Sequence, residues 1–311
     1  MNEVELIARL VPSLPSNGSV VVAAGDDCAV LDLGAPDYIL FKTDAIVEGI
    51  HFTAETPPEK IGRKALARCL SDIAAMAGKP NSALVTIAVP LEFEPARIGA
   101  IYAGLNALAS EHSVAIVGGE TTTNPERVLI SIALIGTVEK DKCVRRSGAK
   151  AGDAIFVTGK LGGSIHARHL DFEPRLEEAR WLRAQYNIHA MIDLSDGLAS
   201  DLRHILAASD VGAELMASAI PISREAKVAA RAESSTKPPL LAALTDGEDF
   251  ELLFTVSGRD AVPLLDGWKK KFPKLPLACI GKITAEPGLR LRDKNGMKSL
   301  TVHGYTHFEK S

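Results

Sequence analysis

Cysteine is scarce and scattered: four residues in a chain of 311, Cys28, Cys69, Cys143 and Cys279, with no CxxC pair. That spacing argues against both a disulfide framework and a structural zinc site. Aromatic residues make up 5% of the chain and there is no basic excess, the net charge being −4. A broad nucleic-acid footprint would need cationic charge with interleaved aromatics, so no nucleic-acid partner is expected. No uncharged apolar run approaches the ~20 residues that cross a bilayer. The opening MNEVELIARLVPSLPS is too acidic and interrupted for a signal peptide. The expected setting is soluble, reducing and cytoplasmic, with no membrane partner.

What the chain does have is apolar residues enough for a substantial core, at 46% hydrophobic and 24% charged, and a length that suits two domains. Strand-like runs occupy 19–24, 38–43, 83–89, 114–118 and 128–138. Helical stretches lie between them at 59–78, where Ile61, Ala65, Cys69, Ile73 and Ala77 recur every fourth residue, and at 95–112. The charged, Gly-containing EKDKCVRRSGAKAGD (139–153) is the best linker, which divides the chain into 1–138 and 154–311. The second block reads as strands near 154–158, 190–193, 249–256 and 277–283, with helices near 161–170, 175–187, 196–209 and 259–271.

Carboxylates recur at the ends of the apolar runs. Asp26-Asp27 follows VVVAA, Asp44 follows YILFKT, Glu120 follows VAIVGG, and Asp193 and Asp196 follow AMI; Asp72 interrupts the apolar face of the first helix. Ligands of α/β proteins gather outside the carboxyl ends of strands. Five or six carboxylates converging there would repel one another by several kcal/mol unless a hard cation intervened. Mg²⁺ takes carboxylate and water oxygens and commonly holds substrate phosphates as well. Taken singly, each Asp reads as a turn or helix-cap residue: Asp196 precedes a helix, and Asp26 could cap a turn. Asp72, beside Ile73 and Met76 in mid-helix, needs a partner. The Gly-rich TGKLGGS (158–164) could bind an anion through its amides, but it lacks phosphate-loop spacing, and a turn with Ser164 as helix cap fits better. The His pairs in HARH (166–169) and HGYTHF (303–308) have no third ligand and read as solvated surface. Ser195 has no GxSxG frame.

Seven blocks, GDDCAVL, KTDAIVEGIHF, ALARCLSDIAAMAG, VGGETT, RRSGAKAGDAIFVTGKLGGS, IDLSDGLASDL and GEDFELLFT, stand in this order along the chain. Together they resemble the thiamine-monophosphate kinase family, within the superfamily of ATP-dependent aminoimidazole ribonucleotide synthetases. The resemblance runs from about Gly25 to the C-terminal GYTHF. It implies an α+β fold of two α/β-type domains. The N-terminal mixed-sheet domain would form a barrel-like dimer interface, and a C-terminal mixed-sheet domain with flanking helices would complete an active-site cleft. It further implies ATP as co-substrate, several Mg²⁺ ions, thiamine monophosphate as acceptor, and a homodimer.

Carried over by position, Asp27, Asp44, Asp72, Asp193 and Asp196 correspond to magnesium ligands, with Thr43 supplying an oxygen nearby. Glu120, with Gly119, takes the place of a metal and nucleotide contact. Tyr102, Arg146 and Ser195 correspond to nucleotide contacts, and Arg146 also steadies developing charge. His51, Glu248 and Tyr305 fall where the family holds thiamine phosphate, although His51 and Tyr305 read equally well as packed or rim residues. Two positions depart from the family pattern: Glu120 stands where Asp is usual, and Lys42 where Ser or Thr is usual. An ammonium at 42 would disfavour a nearby Mg²⁺ or replace it by meeting phosphate directly, so the number of metals stays open. The implied reaction is in-line transfer to a phosphate oxygen already ionised near neutral pH, its second pKa being ~6. Two alternatives remain: a superfamily enzyme acting on another acceptor, and a nucleotide-binding paralogue without catalysis.

Overall fold

In the computed structural model the described residues are 3–166, 168–232 and 237–305. They form two compact units, the first Ser19–Cys143 with His169–Glu177, the second Met1–Gly18, Val144–Arg168 and Glu178–Ser311. Among the described residues no helix is long and apolar enough to cross a membrane.

A short helix, α1 (Glu3–Leu10), precedes the first unit. That unit contains β1 (Val20–Val22), β2 (Ala29–Leu31), β3 (Asp37–Val47), α2 (Pro58–Ala75), β4 (Lys79–Val89), α3 (Pro95–Glu111), β5 (Ala115–Thr123) and β6 (Leu129–Glu139). The strands make one mixed sheet in the order β1-β2-β3-β6-β4-β5, with only β4 and β5 parallel. The sheet is open at β1 and β5, so no barrel closes among the described residues. Period-two burial sends Leu40, Ile46, Ile130, Ile132 and Leu134 inward, and α2 lies against β3, β6 and β4. The other face keeps apolar residues in water: Phe41, Leu84, Val117 and Ile135 are between 39% and 63% exposed. Helices α2 and α3 approach through glycines. A Cβ on Gly62 would lie 1.8 Å from Ile101 O, and one on Gly104 1.8 Å from Glu59 O.

The second unit continues with β7 (Asp153–Thr158), α4 (Leu176–Gln185), β8 (Ile188–Asp193), α5 (Leu198–Ser209), β9 (Gly212–Met216), α6 (Arg224–Ala229) and α7 (Pro239–Thr245). It ends with β10 (Leu252–Ser257), α8 (Ala261–Lys271), β11 (Leu277–Thr284), β12 (Gly288–Asp293) and β13 (Gly296–Ser299). Its mixed sheet runs β13-β12-β9-β11-β7-β10-β8, with β12 and β9 parallel. Ile155, Val157, Ile192, Leu202, Ile205 and Leu253 belong to its core. Among the described residues of 161–170 the expected helix does not form. Gly159, Gly162 and Gly163 take positive φ (64°, 83° and 68°), and only one 3-10 turn follows, over Ser164–His166.

Candidate active site

In the first unit, β3 and α2 meet through crossed charges. Lys42 and Asp44 share a face of β3, two residues apart, while Arg68 and Asp72 are one turn apart on α2. Both spacings span roughly 6 Å along their elements, so the pairs match. Lys42 Nζ lies 3.0 Å from Asp72 Oδ1. Arg68 donates to both Asp44 oxygens, at 2.9 and 3.3 Å. The partner demanded by the mid-helix Asp72 is therefore Lys42. Burial alone would lower the Lys42 ammonium, but Asp72 and Asp44 outweigh it and hold it above its ordinary value. Burial would likewise raise Asp44, yet Arg68 and Lys42 hold its carboxyl below the usual range.

Asp27 is buried, with one carboxylate oxygen within 4.8 Å of one from Asp72. Asp26 acts locally, its Oδ1 accepting the Asp27 N–H at 3.0 Å. The Thr43 hydroxyl lies on the opposite face of β3 from Asp44, 3.4 Å from Ser131 Oγ. His51 sits in the turn after β3; its Nδ1 accepts the Val47 N–H (3.0 Å) and its carbonyl accepts the fully buried Lys64 (2.6 Å). Lys64 also meets His169 Nδ1 at 2.8 Å, so His169 is buried and not on the solvated surface expected of it. His166 is exposed, and His307 lies outside the described residues. On β5, Gly119 and Glu120 are exposed, and Gly119 runs so near β4 that a Cβ would fall 1.8 Å from Val85 O. Tyr102 is half-buried on α3, and burial raises its phenol.

In the second unit, Asp193 ends β8 and is buried; Ser195 and Asp196 form the turn into α5. Asp196 does not cap the helix. Gly197 is the cap position, and Asp201 accepts the N–H groups of Asp196 (3.1 Å) and Gly197 (3.0 Å) from inside the first turn. Burial, then Asp196 and Asp193, push the Asp201 carboxyl well up, while Arg146 draws it down. Asp196, Asp201 and His204 each place one ligand atom within 4.8 Å of the others.

The GEDFE segment packs beside that turn in strained backbone: Glu248 and Phe250 have φ of 63° and 49°. Their N–H groups donate to Ser195 O (2.7 Å) and Leu194 O (2.8 Å). The intervening Asp249 accepts the Gly162 N–H (2.7 Å) and Arg168 (3.0 Å), and Glu251 accepts the Thr158 hydroxyl (2.6 Å). Asp246 takes the Gly163 N–H at 2.8 Å. The Gly-rich loop thus spends these amides on the chain's own carboxylates, and buried Ser164 Oγ finds no hydrogen-bond partner among the described residues. Burial pushes the Asp249 carboxyl up to about 8. The C-terminal segment crosses the same turn: Tyr305 N–H donates to Asp196 O (2.9 Å) and Gly304 N–H to Ser200 Oγ (2.7 Å). Arg203 holds Val302 O at 2.7 Å and Ala199 O at 2.8 Å.

Residues 25–138 match the AIR synthase related protein N-terminal domain, and residues 150–294 its C-terminal domain. The thiamine-monophosphate kinase of Rhodopirellula baltica is 42% identical over 300 residues, covering 93% of this chain and 92% of that protein. The chain belongs to the thiamine-monophosphate kinase family. The Bacillus subtilis thiamine-monophosphate kinase is 33% identical over 335 residues, covering 99% and 100% of the two chains. A solved structure of AaThiL complexed with AMPPCP and TMP has a TM-score of 0.83 and 30% identity, over 99% of this chain and 97% of that one. Within the chain, sequence reasoning overlooked Lys64, Arg68, Asp201, Arg203 and Asp249. The i,i+4 spacing of Arg68 and Asp72 points to a pair along the helix, whereas the fold turns Arg68 to Asp44 on β3, which no spacing in the sequence announces.

Proposed function

We propose that the chain phosphorylates thiamine monophosphate with ATP, giving thiamine diphosphate and ADP by direct in-line transfer. The observation that carries this is the 42% identity to a thiamine-monophosphate kinase across nearly the whole of both chains. The related structure that holds AMPPCP and TMP supports the same pair of substrates.

The donor set suits magnesium: the oxygens of Asp27 and Asp72 lie within 4.8 Å, while Cys28 and Cys69 are buried thiols pushed up by that burial. Asp27, Asp44, Asp72, Asp193 and Asp196 are assigned to the ions, with Glu120 as a further ligand; the Thr43 hydroxyl lies on the face of β3 opposite Asp44. Magnesium, when bound, offsets phosphate charge so that two polyanions can approach. Tyr102, Gly119, Glu120, Ser195 and Arg146 are assigned to the nucleotide. His51, Glu248 and Tyr305 are assigned to thiamine phosphate. Because His51 Nδ1 accepts a hydrogen bond, the ring proton of the neutral imidazole sits on Nε2. The acceptor oxygen is already ionised, so no side chain has to act as base. Burial of the Cys28 thiol also disfavours a sibling chemistry that needs a reactive cysteine there.

The same reading includes a nucleotide- and metal-binding, dimer-forming domain over 1–138, a linker over 139–153, a second domain over 154–311, and a cytoplasmic setting. The exposed apolar face bearing Phe41, Leu84, Val117 and Ile135 supports a homodimer joined through the first sheet in a barrel-like interface. The test is ADP release with and without thiamine monophosphate, with products resolved by chromatography. Thiamine diphosphate formed in step with ADP is expected. Turnover only with another acceptor, or nucleotide binding without turnover, would overturn the reading.

A further inference from the structure

Lys42 sits two residues before Asp44 on β3, with its ammonium 3.0 Å from Asp72 Oδ1. Its side chain is 24% exposed and that of Asp72 9%, so this is no loosely tethered surface charge. Arg68 spans both oxygens of Asp44 with its planar fork, whereas Lys42 brings a single point charge to a single Asp72 oxygen. A divalent ion on that oxygen would have to approach to ~2.0–2.1 Å, into the space beside the ammonium and against its charge.

We propose that the Lys42 ammonium is a resident cation on Asp72 that takes the place of one divalent ion, so that this chain loads one ion fewer than it would with a small neutral residue at position 42. The inference rests on the kinase reading above and concerns only how many ions that site holds. Replacing Lys42 by Ser both opens room for a hydrated ion and removes one positive charge from beside the buried Asp72. Breaking one side of a buried pair creates a demand for replacement charge. Arg at the same position would leave neither room nor demand.

The full-length protein, saturated with AMPPCP and thiamine monophosphate, is titrated with Mn²⁺ as a paramagnetic probe, and bound ions are counted by electron paramagnetic resonance. Lys42→Ser should bind one Mn²⁺ more per chain than the wild type, and Lys42→Arg the wild-type number. Equal, non-zero counts in the wild type and Lys42→Ser overturn the proposal and leave the kinase reading standing. No Mn²⁺ on the wild type with both ligands present overturns the two together. Should Lys42→Ser fail to fold, Lys42→Met keeps the stem and removes the charge. Its melting temperature in EDTA should fall below wild type and be restored by Mn²⁺ alone; a fall that Mn²⁺ does not reverse counts against the proposal.

Discussion

Gly304→Ala tests whether the C-terminal segment positions the substrate end of the site. An added Cβ would lie 1.9 Å from Asp196 O and 3.1 Å from Ser200 Oγ, and backbone cannot yield by the ångström or more required. The segment must lift. Two hydrogen bonds go with it, Gly304 N–H to Ser200 and Tyr305 N–H to Asp196. At about 1 kcal/mol each the loss is about 2 kcal/mol, or roughly thirtyfold in the population of the docked segment. Arg203 still anchors Val302, so the detachment stays local. Because Tyr305 is half-exposed and the segment adds little to the core, the melting temperature should move by no more than about 2 °C. Steady-state kinetics with each substrate varied in turn should then show KM for thiamine monophosphate raised about ten- to thirtyfold, with KM for ATP unchanged. An unaltered thiamine-phosphate KM would refute the reasoning, as would equal rises in both KM values.

Asp249 carries a pH signature. Its folded carboxyl titrates at about 8 against an ordinary 3.8, so between those values the folded state holds a proton that the unfolded state has lost. Stability therefore falls as pH rises through that window, by up to ~1.4 kcal/mol per pH unit. Asp249→Asn keeps an acceptor for Gly162 and cannot titrate; in thermal melts it should exceed the wild type at pH 8, with the gap narrowing toward pH 4, and parallel curves would sink the argument. Gly62→Ala forces α2 from α3 and should cost at least ~1–3 kcal/mol in urea unfolding, with a cost under ~0.5 kcal/mol counting against the close approach. Phe41→Asp combined with Ile135→Asp places two carboxylates on the exposed apolar face; light scattering should show a dimer in the wild type and a monomer in the variant.

Much of the first unit was legible. The four-residue recurrence from Ile61 to Ile73 marks α2, and Pro58 opens it at the first turn. The apolar runs at 38–43 and 83–89 lie within the longer β3 and β4. The second unit was harder to read. Its hairpin β12–β13 is built from GLRLRD and GMKS around Lys294-Asn295; Leu289 and Leu291 do alternate with Arg290 and Arg292, but two apolar residues among charges are too short a run to announce a strand. The 161–170 segment looked helical by composition, but left-handed Gly162 and Gly163 break its start. HARH was read at helical spacing for the same reason, and His169 instead turns inward to Lys64. In the site, the need of Asp72 for a partner was clear; that Lys42 supplies it depends on β3 laying alternate residues against α2, a tertiary fact. Likewise Asp196 looked like the cap of α5, and only the folded turn shows Asp201 in that role.

The crossed pairs also bear on how an acidic site folds before it has ions. At an effective dielectric near 20, like charges 4 Å apart repel by about 4 kcal/mol, a large fraction of the ~5–15 kcal/mol by which a domain is stable. Asp27 and Asp72 have oxygens within 4.8 Å, and Asp44 lies on the strand that carries Lys42. If only divalent ions neutralised these groups, stability would follow metal supply, as it does in domains whose metal is their core. Lys42 on Asp72 and Arg68 on Asp44 return two charges from within the first unit itself. The carboxylates are then tolerable in the empty protein, and divalent ions are left to act on the phosphates. The cost falls on affinity, because an incoming ion must compete with cations that are covalently part of the chain and never dilute away.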